Sequence, residues 1–366
     1  MINIGMVGVG AISGIYLENI TKRFKEINLV AVCDLVKERA LNAQAKYNVP
    51  KVYDTMHELF ADPEIDLVLN LTRPYEHYEV DKAALLAGKH VYSEKPLGAS
   101  LAEGVELVKL AEEKGLMLGG APDTFLGAGI QTCRKLIDDG MIGTPLGAAA
   151  FMICRGHETW HPDPAFYYKY GGGPMFDMGP YYLTAMVNLL GGVKAVTGIA
   201  KKTFNQRLIT SQPFAGTIVD VDVPTYITGI MEMDSGVTAT LFTTFDVVYD
   251  GQARFEIYGS EGTLFVPDPN GFGGPVQLLR REDGSRKDMP LLFDYKDNSR
   301  ALGLADMAKS LETGRAPRAS YKQTLHVLEV MEAFTTSGEK QARVEINSKY
   351  SRECAMKHNP MHGILD

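Results

Sequence analysis

The sequence predicts a two-part α/β protein: an N-terminal doubly wound parallel sheet, followed by an α/β domain built on a large, mostly antiparallel open sheet. Three observations carry this prediction. Short apolar runs alternate with amphipathic helical stretches from Ile2 to about Gly119. A glycine-rich run containing Pro122 breaks that rhythm at 120–129. Segments rich in Thr, Val, Phe and Tyr, some separated by turn residues, then follow. At 366 residues, 45% hydrophobic and 22% charged, the chain is of ordinary globular composition and long enough for two cores.

In the first part the strands are expected at 4–9, 29–33, 67–71, 90–93 and 116–118. Helices at 12–24, 36–47, 77–87 and 101–114 show apolar positions at helical spacing with charged outer faces, and cross over right-handedly between parallel strands. Past the break, a helix at 130–139 leads to strands at 147–154, 195–204, 223–233, 237–247 and 253–259. Asp234-Ser235-Gly236 and Gly259-Ser260-Glu261-Gly262 are turn signals between them. Residues 267–275 read as a loop and 322–336 as a late helix. The domain expectation is 1–121 for the first part, 122–348 for the second and 349–366 for a surface tail. Helices cover one face of the second sheet; burial of the other against a second copy makes a homo-oligomer, a dimer or tetramer, the expected assembly.

Charge and cysteine usage narrow the function classes. A net charge of −8, without a Lys/Arg cluster, argues against nucleic acid or an anionic membrane surface as partner. Cys33, Cys133, Cys154 and Cys354 are scattered without a Cys-x-x-Cys pair, as in a protein of a reducing compartment. The chain opens directly on an apolar strand pattern without a basic leader, and no apolar stretch reaches spanning length, so the cytoplasm is the expected location.

Between the first strand and first helix lies Gly8-Val9-Gly10-Ala11-Ile12-Ser13. The first glycine permits a tight turn, and the second lets backbone amides approach a pyrophosphate at the helix N-terminus. Ser13 occupies the third position, where a small side chain still allows helix and strand to pack closely, and Gly14 is one place out of register. Asp34 ends the second strand, where an acid binds ribose hydroxyls. Together these predict a Rossmann domain holding a dinucleotide through Gly8, Gly10, Ala11, Ile12 and Asp34. Asp34 repels a 2′-phosphate, which favours NAD over NADP, with Arg39 as the complication. The competing readings are structural: glycines for a turn alone, and Asp34 as a helix cap.

With that loop, His90-Val91-Tyr92-Ser93-Glu94-Lys95-Pro96, and the run Gly171-Gly172-Gly173-Pro174-Met175-Phe176-Asp177-Met178-Gly179-Pro180-Tyr181, the chain resembles the Gfo/Idh/MocA family of sugar and polyol oxidoreductases over nearly its whole length. The resemblance implies that Lys95 stands between nicotinamide ribose and the substrate hydroxyl, orienting the reacting oxygen. It also implies that Glu94 and the segment Thr72 to His77 edge the cofactor. Many relatives carry a histidine four residues after the acid of the second motif; here that place is Tyr181, one helical turn from Asp177 if the segment is helical. A phenol ordinarily titrates near 10, so His161 competes with Tyr181 as proton carrier, with Asp177 in support. Residues 121–125, Ala-Pro-Asp-Thr-Phe, depart from the basic and aromatic residues of many relatives, so the resemblance carries no particular substrate.

His157-Glu158-Thr159-Trp160-His161 has the letters of the zincin motif, which needs both histidines on one helical face. Gly156 before it and Pro162 and Pro164 after it oppose a sustained helix, so no metal is expected. A loop presenting His157, Trp160 and His161 to a polyhydroxylated ligand is the expectation instead. The resulting functional expectation is hydride transfer between a secondary alcohol of a sugar or polyol and NAD. Two readings compete with it: an enzyme that keeps and recycles its NAD, and a non-catalytic NAD or sugar sensor.

Overall fold

The computed structural model describes residues 1–249, 254–357 and 365. Up to residue 127 the elements are β1 (Ile2–Val7), α1 (Ser13–Lys22), β2 (Ile27–Cys33), α2 (Lys37–Tyr47), β3 (Lys51–Tyr53), α3 (Met56–Ala61), β4 (Leu67–Asn70), α4 (His77–Leu86), β5 (His90–Ser93), α5 (Leu101–Lys114) and β6 (Leu118–Gly120). Then come α6 (Ala128–Asp138), β7 (Pro145–Ile153), α7 (Gly173–Asp177), α8 (Gly179–Leu190), β8 (Val193–Lys201), β9 (Gln206–Leu208), β10 (Ile218–Asp220), β11 (Tyr226–Met233) and β12 (Thr238–Thr244). The remainder is β13 (Arg254–Gly259), β14 (Gly262–Phe265), β15 (Val276–Arg280), β16 (Lys287–Met289), α9 (Leu302–Thr313), α10 (Tyr321–Lys340) and β17 (Val344–Glu345).

Two compact units result: Met1–Gly127 with Phe293–Leu325 and Glu353–Asp366, and Ala128–Leu292 with His326–Arg352. This grouping is not linear in the sequence and so differs from a division at 121 and 348. The physical reason is a set of long-range polar contacts: Asn19 Nδ2 donates to the Arg300 carbonyl at 2.8 Å and the Gly303 amide to Asp123 Oδ2 at 3.0 Å, and the two later segments are in turn tied to each other. Buried Asp306 on α9 takes Arg318 Nη1 and Arg315 Nη2, each at 2.6 Å, and Arg318 Nε donates to the Cys354 carbonyl at 2.9 Å. Ser320 Oγ donates to Glu353 Oε1 at 2.9 Å.

In the first unit the six strands run in the order β3-β2-β1-β4-β5-β6, every pairing parallel. Helices bury both faces of such a sheet, so its central strands read as continuous apolar runs: Leu67, Val68 and Leu69 are fully buried, as are Ala31 and Val32. The sequence reading has no counterpart of β3 or α3. Both are short, yet α3 carries a capping box in which Thr55 Oγ1 accepts from Glu58 N, and Thr-x-x-Glu was a legible start signal.

The second unit is organised by a nine-stranded sheet, β16-β15-β14-β13-β7-β12-β11-β8-β17, in which only the β7–β12 pairing is parallel. Alternation along the strands gives it two unlike faces. Ala148, Ala150, Met152, Ala239, Leu241, Phe255 and Ile257 are buried on one; Phe151, Tyr226, Ile230 and Phe242 lie half-buried or exposed on the other. The five expected strands correspond to β7, β8, β11, β12 and β13, while Ala253, the first expected residue of the last, lies outside the described residues. The short strands β14 to β17 and the separate β9–β10 hairpin lie outside that reading. In the expected tail, residues 358–364 and 366 lie outside the described residues.

Candidate active site

The loop after β1 has the geometry that a dinucleotide requires. Gly8 takes φ +95°, and a Cβ there would lie 2.8 Å from the carbonyl carbon and oxygen of Leu71, so only glycine fits. At Gly10 a Cβ would meet nothing within 4 Å: the backbone is open on that side, as close approach of a phosphate demands. Ser13 is buried and its Oγ donates to the Gly10 carbonyl at 2.7 Å, so the third position closes the loop as well as permitting tight packing. Ala11 and Ile12 precede α1, whose N-terminus has no side-chain cap; the Ser13 amide donates to the Gly10 carbonyl at 3.2 Å, and the next amides of the first turn are left for an anion. Asp34 receives the Val9 N–H at 2.6 Å on Oδ2 and the Val36 N–H at 2.7 Å on Oδ1. Each carboxylate oxygen keeps a lone pair for a ribose hydroxyl, and the acid also fixes the glycine loop to the end of β2. These residues fit NAD.

The loops after β4 and β5 are tied together beneath this cradle by buried polar side chains. Asn70 accepts from Thr72 N and Oγ1, at 3.1 and 2.7 Å, and its amide donates to Asp81 Oδ1 at 2.7 Å. His77 opens α4 with its ring buried between two carbonyls, Pro96 O 2.7 Å from Nδ1 and Thr72 O 3.1 Å from Nε2. Burial lowers its pKa. The imidazole therefore spans the Thr72 loop and the Glu-Lys-Pro turn. Glu94 is held the same way, accepting from the Tyr16 hydroxyl at 2.8 Å and from the Lys95 amide at 2.9 Å. Lys95 itself is half-buried. Two buried acids join this region unannounced by any motif: desolvation pushes Asp81 up to about 7 and Asp123 up to about 6.

In the second unit the structure pairs residues that the sequence reading kept apart. His157 Nε2 lies 2.9 Å from Asp177 Oδ2, both side chains mostly buried. Around the imidazole stand Tyr167, Phe245 and Trp160, with ring centroids 4.2, 4.6 and 5.2 Å away. His157 Nδ1 is buried with no hydrogen-bond partner among the described residues. Asp177 ends α7 and Tyr181 lies in α8, so the helix that would stack them one turn apart is interrupted at Met178. Tyr181 is buried. His161 Nδ1 accepts the Asp163 N–H at 3.0 Å, and desolvation lowers its pKa. Trp160 is 62% exposed beside it.

Residues 157–159 form one turn of 3-10 helix, ended before Pro162. Glu158 faces Arg207, at 3.1 Å, and the Tyr168 hydroxyl. Its carboxylate is thus engaged as a counter-ion, and no group of three or more metal-binding side chains forms among the described residues.

The first unit matches the model of an oxidoreductase family with an NAD-binding Rossmann fold over residues 2–120, and residues 130–265 match the C-terminal domain of the same family. The chain belongs to the Gfo/Idh/MocA oxidoreductase family. It is similar to myo-inositol 2-dehydrogenase of Thermotoga maritima, 25% identical over 87% of this chain and 90% of that protein. It is also similar to scyllo-inositol 2-dehydrogenase (NAD(+)) of Bacillus subtilis, 25% identical over 94% and 96% of the two chains. Among solved structures, an NAD binding oxidoreductase from Klebsiella pneumoniae shares the fold with a TM-score of 0.81 at 22% identity, covering 94% of this chain and 99% of that one. As a member of this family the chain is an NAD-dependent oxidoreductase acting on CH–OH groups. No helix among the described residues is long and apolar enough to cross a membrane.

Proposed function

We propose that this oxidoreductase acts on a secondary ring alcohol of a cyclic polyol or a closely related sugar, with the His157–Asp177 pair accepting the alcohol proton. One observation carries the assignment: an imidazole whose Nε2 is committed to a carboxylate at 2.9 Å while its buried Nδ1 is left without a partner among the described residues, so that a substrate hydroxyl reaches it once a ring of the surrounding cage, of which Trp160 is 62% exposed, moves aside. Asp177 fixes the tautomer with hydrogen on Nε2, so the lone pair is on Nδ1, and the carboxylate stabilises the imidazolium once the proton arrives. His161 is the poorer acceptor because its Nδ1 lone pair already receives the Asp163 amide. A neutral phenol such as Tyr181 must first lose its own proton. Bound NAD supplies the hydride acceptor.

Lys95 orients the reacting oxygen and stabilises negative charge on it, while Asp34 and the Gly8–Ile12 loop hold the dinucleotide and disfavour a 2′-phosphate. Thr72, His77 and Glu94 shape the cofactor loops; His77 does so through its two carbonyl contacts. Trp160 and His161, with Tyr181, line the polyol, an aromatic face against C–H groups being the usual sugar platform. The inositol dehydrogenases similar to the chain over most of its length support the substrate class. The second unit also supports a homo-oligomer, dimer or tetramer, because Ile199 and Ile230 on the open sheet face are 61% and 45% exposed. Four unpaired cysteines favour the cytoplasm.

A rate panel of inositols, sugars and sugar acids with NAD and NADP, run on the wild type and on His157→Asn, tests the assignment. Turnover of a cyclic polyol with NAD, falling about 10²- to 10⁴-fold in the variant, is expected for loss of an acid–base group. Undiminished turnover by His157→Asn would remove the pair from the reaction.

A further inference from the structure

We propose that the β9–β10 hairpin is the positioning element of the His157–Asp177 pair, with Arg207 as the residue through which it acts. The proposal rests on the reading of His157 as proton acceptor. A two-stranded sheet of three residues a side does not hold its shape unaided, so something else must seat it. Arg207 points from β9 into an almost dry pocket between two carboxylates, its own side chain 10% exposed and those of Glu158 and Asp246 8% and 3%. Its guanidinium donates to Glu158 Oε1 at 3.1 Å, to the Asp246 carboxylate and to the Phe245 carbonyl at 3.2 Å. It also lies over the rings of Phe204 and Tyr168, 5.0 and 5.6 Å away. Asp246 is completed by the Thr225 hydroxyl at 2.8 Å, and Glu158 by the Tyr168 hydroxyl.

Four of these partners, Glu158, Phe245, Asp246 and Tyr168, touch the imidazole or adjoin a residue that does. Glu158 follows His157 in the chain, the Phe245 ring lies tilted against the imidazole at 4.6 Å with Asp246 next to it in the chain, and Tyr168 follows Tyr167, whose ring is 4.2 Å away. The hairpin loop adds backbone grip: Thr210 and Ser211 donate their amides to the Glu158 carbonyl at 2.9 and 3.1 Å, and Ser211 Oγ donates to the His161 carbonyl at 2.6 Å. One planar cation thus fixes both walls of the imidazole's cage. A lysine keeps the charge but cannot span two carboxylates and a carbonyl in one plane. The glutamate that gives 157–161 the look of a metal motif is, on this account, the anchor of a rigid proton-accepting loop.

The test is a double-mutant cycle in the full-length enzyme with NAD and a turned-over polyol, following kcat and KM separately. Arg207→Lys is expected to lower kcat about tenfold or more with KM for NAD unchanged, and Ser211→Ala, the milder variant, about threefold. In a His157→Asn background both effects are expected to shrink to within about twofold, because the group being positioned is gone. Should Arg207→Lys melt far below the wild type, Ser211→Ala decides alone. Equal factors in both backgrounds, or wild-type kcat for both variants, overturn the hairpin proposal while leaving His157 in place. Wild-type turnover by His157→Asn alone overturns both assignments.

Discussion

Asp177→Asn tests the proposed chemistry most directly, because it changes one charge and almost no volume. In the wild type the 2.9 Å contact to His157 Nε2 is made by two side chains only 12% and 15% exposed, so it is a charge-assisted hydrogen bond largely removed from water. Such bonds contribute about 1.5–3 kcal/mol. At about 1.4 kcal/mol per decade, losing the part that stabilises the imidazolium slows proton transfer about ten- to a hundredfold. An asparagine that turns its NH2 toward Nε2 also forces the hydrogen onto Nδ1, the wrong tautomer for a base, which pushes the effect toward the upper end. The assay is the initial rate of reduced-nicotinamide formation at saturating NAD, with NAD affinity titrated separately. The loss is expected in kcat, with the NAD dissociation constant unchanged. An Asp177→Asn enzyme within twofold of wild-type kcat would refute the reasoning.

Other outcomes follow from the same geometry. Gly8→Ala forces a Cβ onto a φ of +95° and to 2.8 Å from the Leu71 carbonyl, and should cost about 2–4 kcal/mol in denaturant unfolding or weaken NAD binding in proportion; an unchanged protein would deny the tight approach. Lys95→Ala should cut turnover much more than NAD affinity, and equal activity would remove Lys95 from the mechanism. Asp81 and Asp123, pushed by burial up to about 7 and about 6, stay protonated in the fold where the unfolded chain has already released both protons near pH 4. The native state then binds more protons, so stability falls as pH rises from about 4 to about 7. The double variant Asp81→Asn/Asp123→Asn should flatten that slope in denaturant midpoints, and a slope that persists would place its source elsewhere. Because Glu158 is engaged with Arg207 and Tyr168, a metal chelator should leave the rate unchanged; reversible loss of activity would reopen the metal reading.

Much of the first unit was legible because its signals are local. Alternation of apolar runs with helical stretches gave β1, β2, β4, β5 and β6 and the helices α1, α2, α4 and α5, since each strand is buried on both faces and each helix on one. Gly8, Gly10 and Ser13 could be read as a loop, with Asp34 as its acid, because one short strand–helix–strand unit fixes all four positions. The second unit was harder. Its core strands showed, but β9, β10 and β14 to β17 run for two to five residues, too few for a period to emerge. The same limit hid α3, although its capping box did not depend on length.

By itself the amino-acid order determined the parallel sheet, the dinucleotide loop with its acid, the Glu-Lys-Pro turn and the failure of 157–161 to continue as a helix. Only the tertiary structure decided that Asp177 reaches His157, that Arg207 reaches Glu158 and Asp246, and that 293–325 packs with β1 to β6. The difference is physical. Strand, turn and cap preferences act over a few residues, whereas the partner of a buried charge is set by whichever opposite charge the folded chain brings into the same dry space, across 20 residues for His157 and Asp177 and 39 for Arg207 and Asp246.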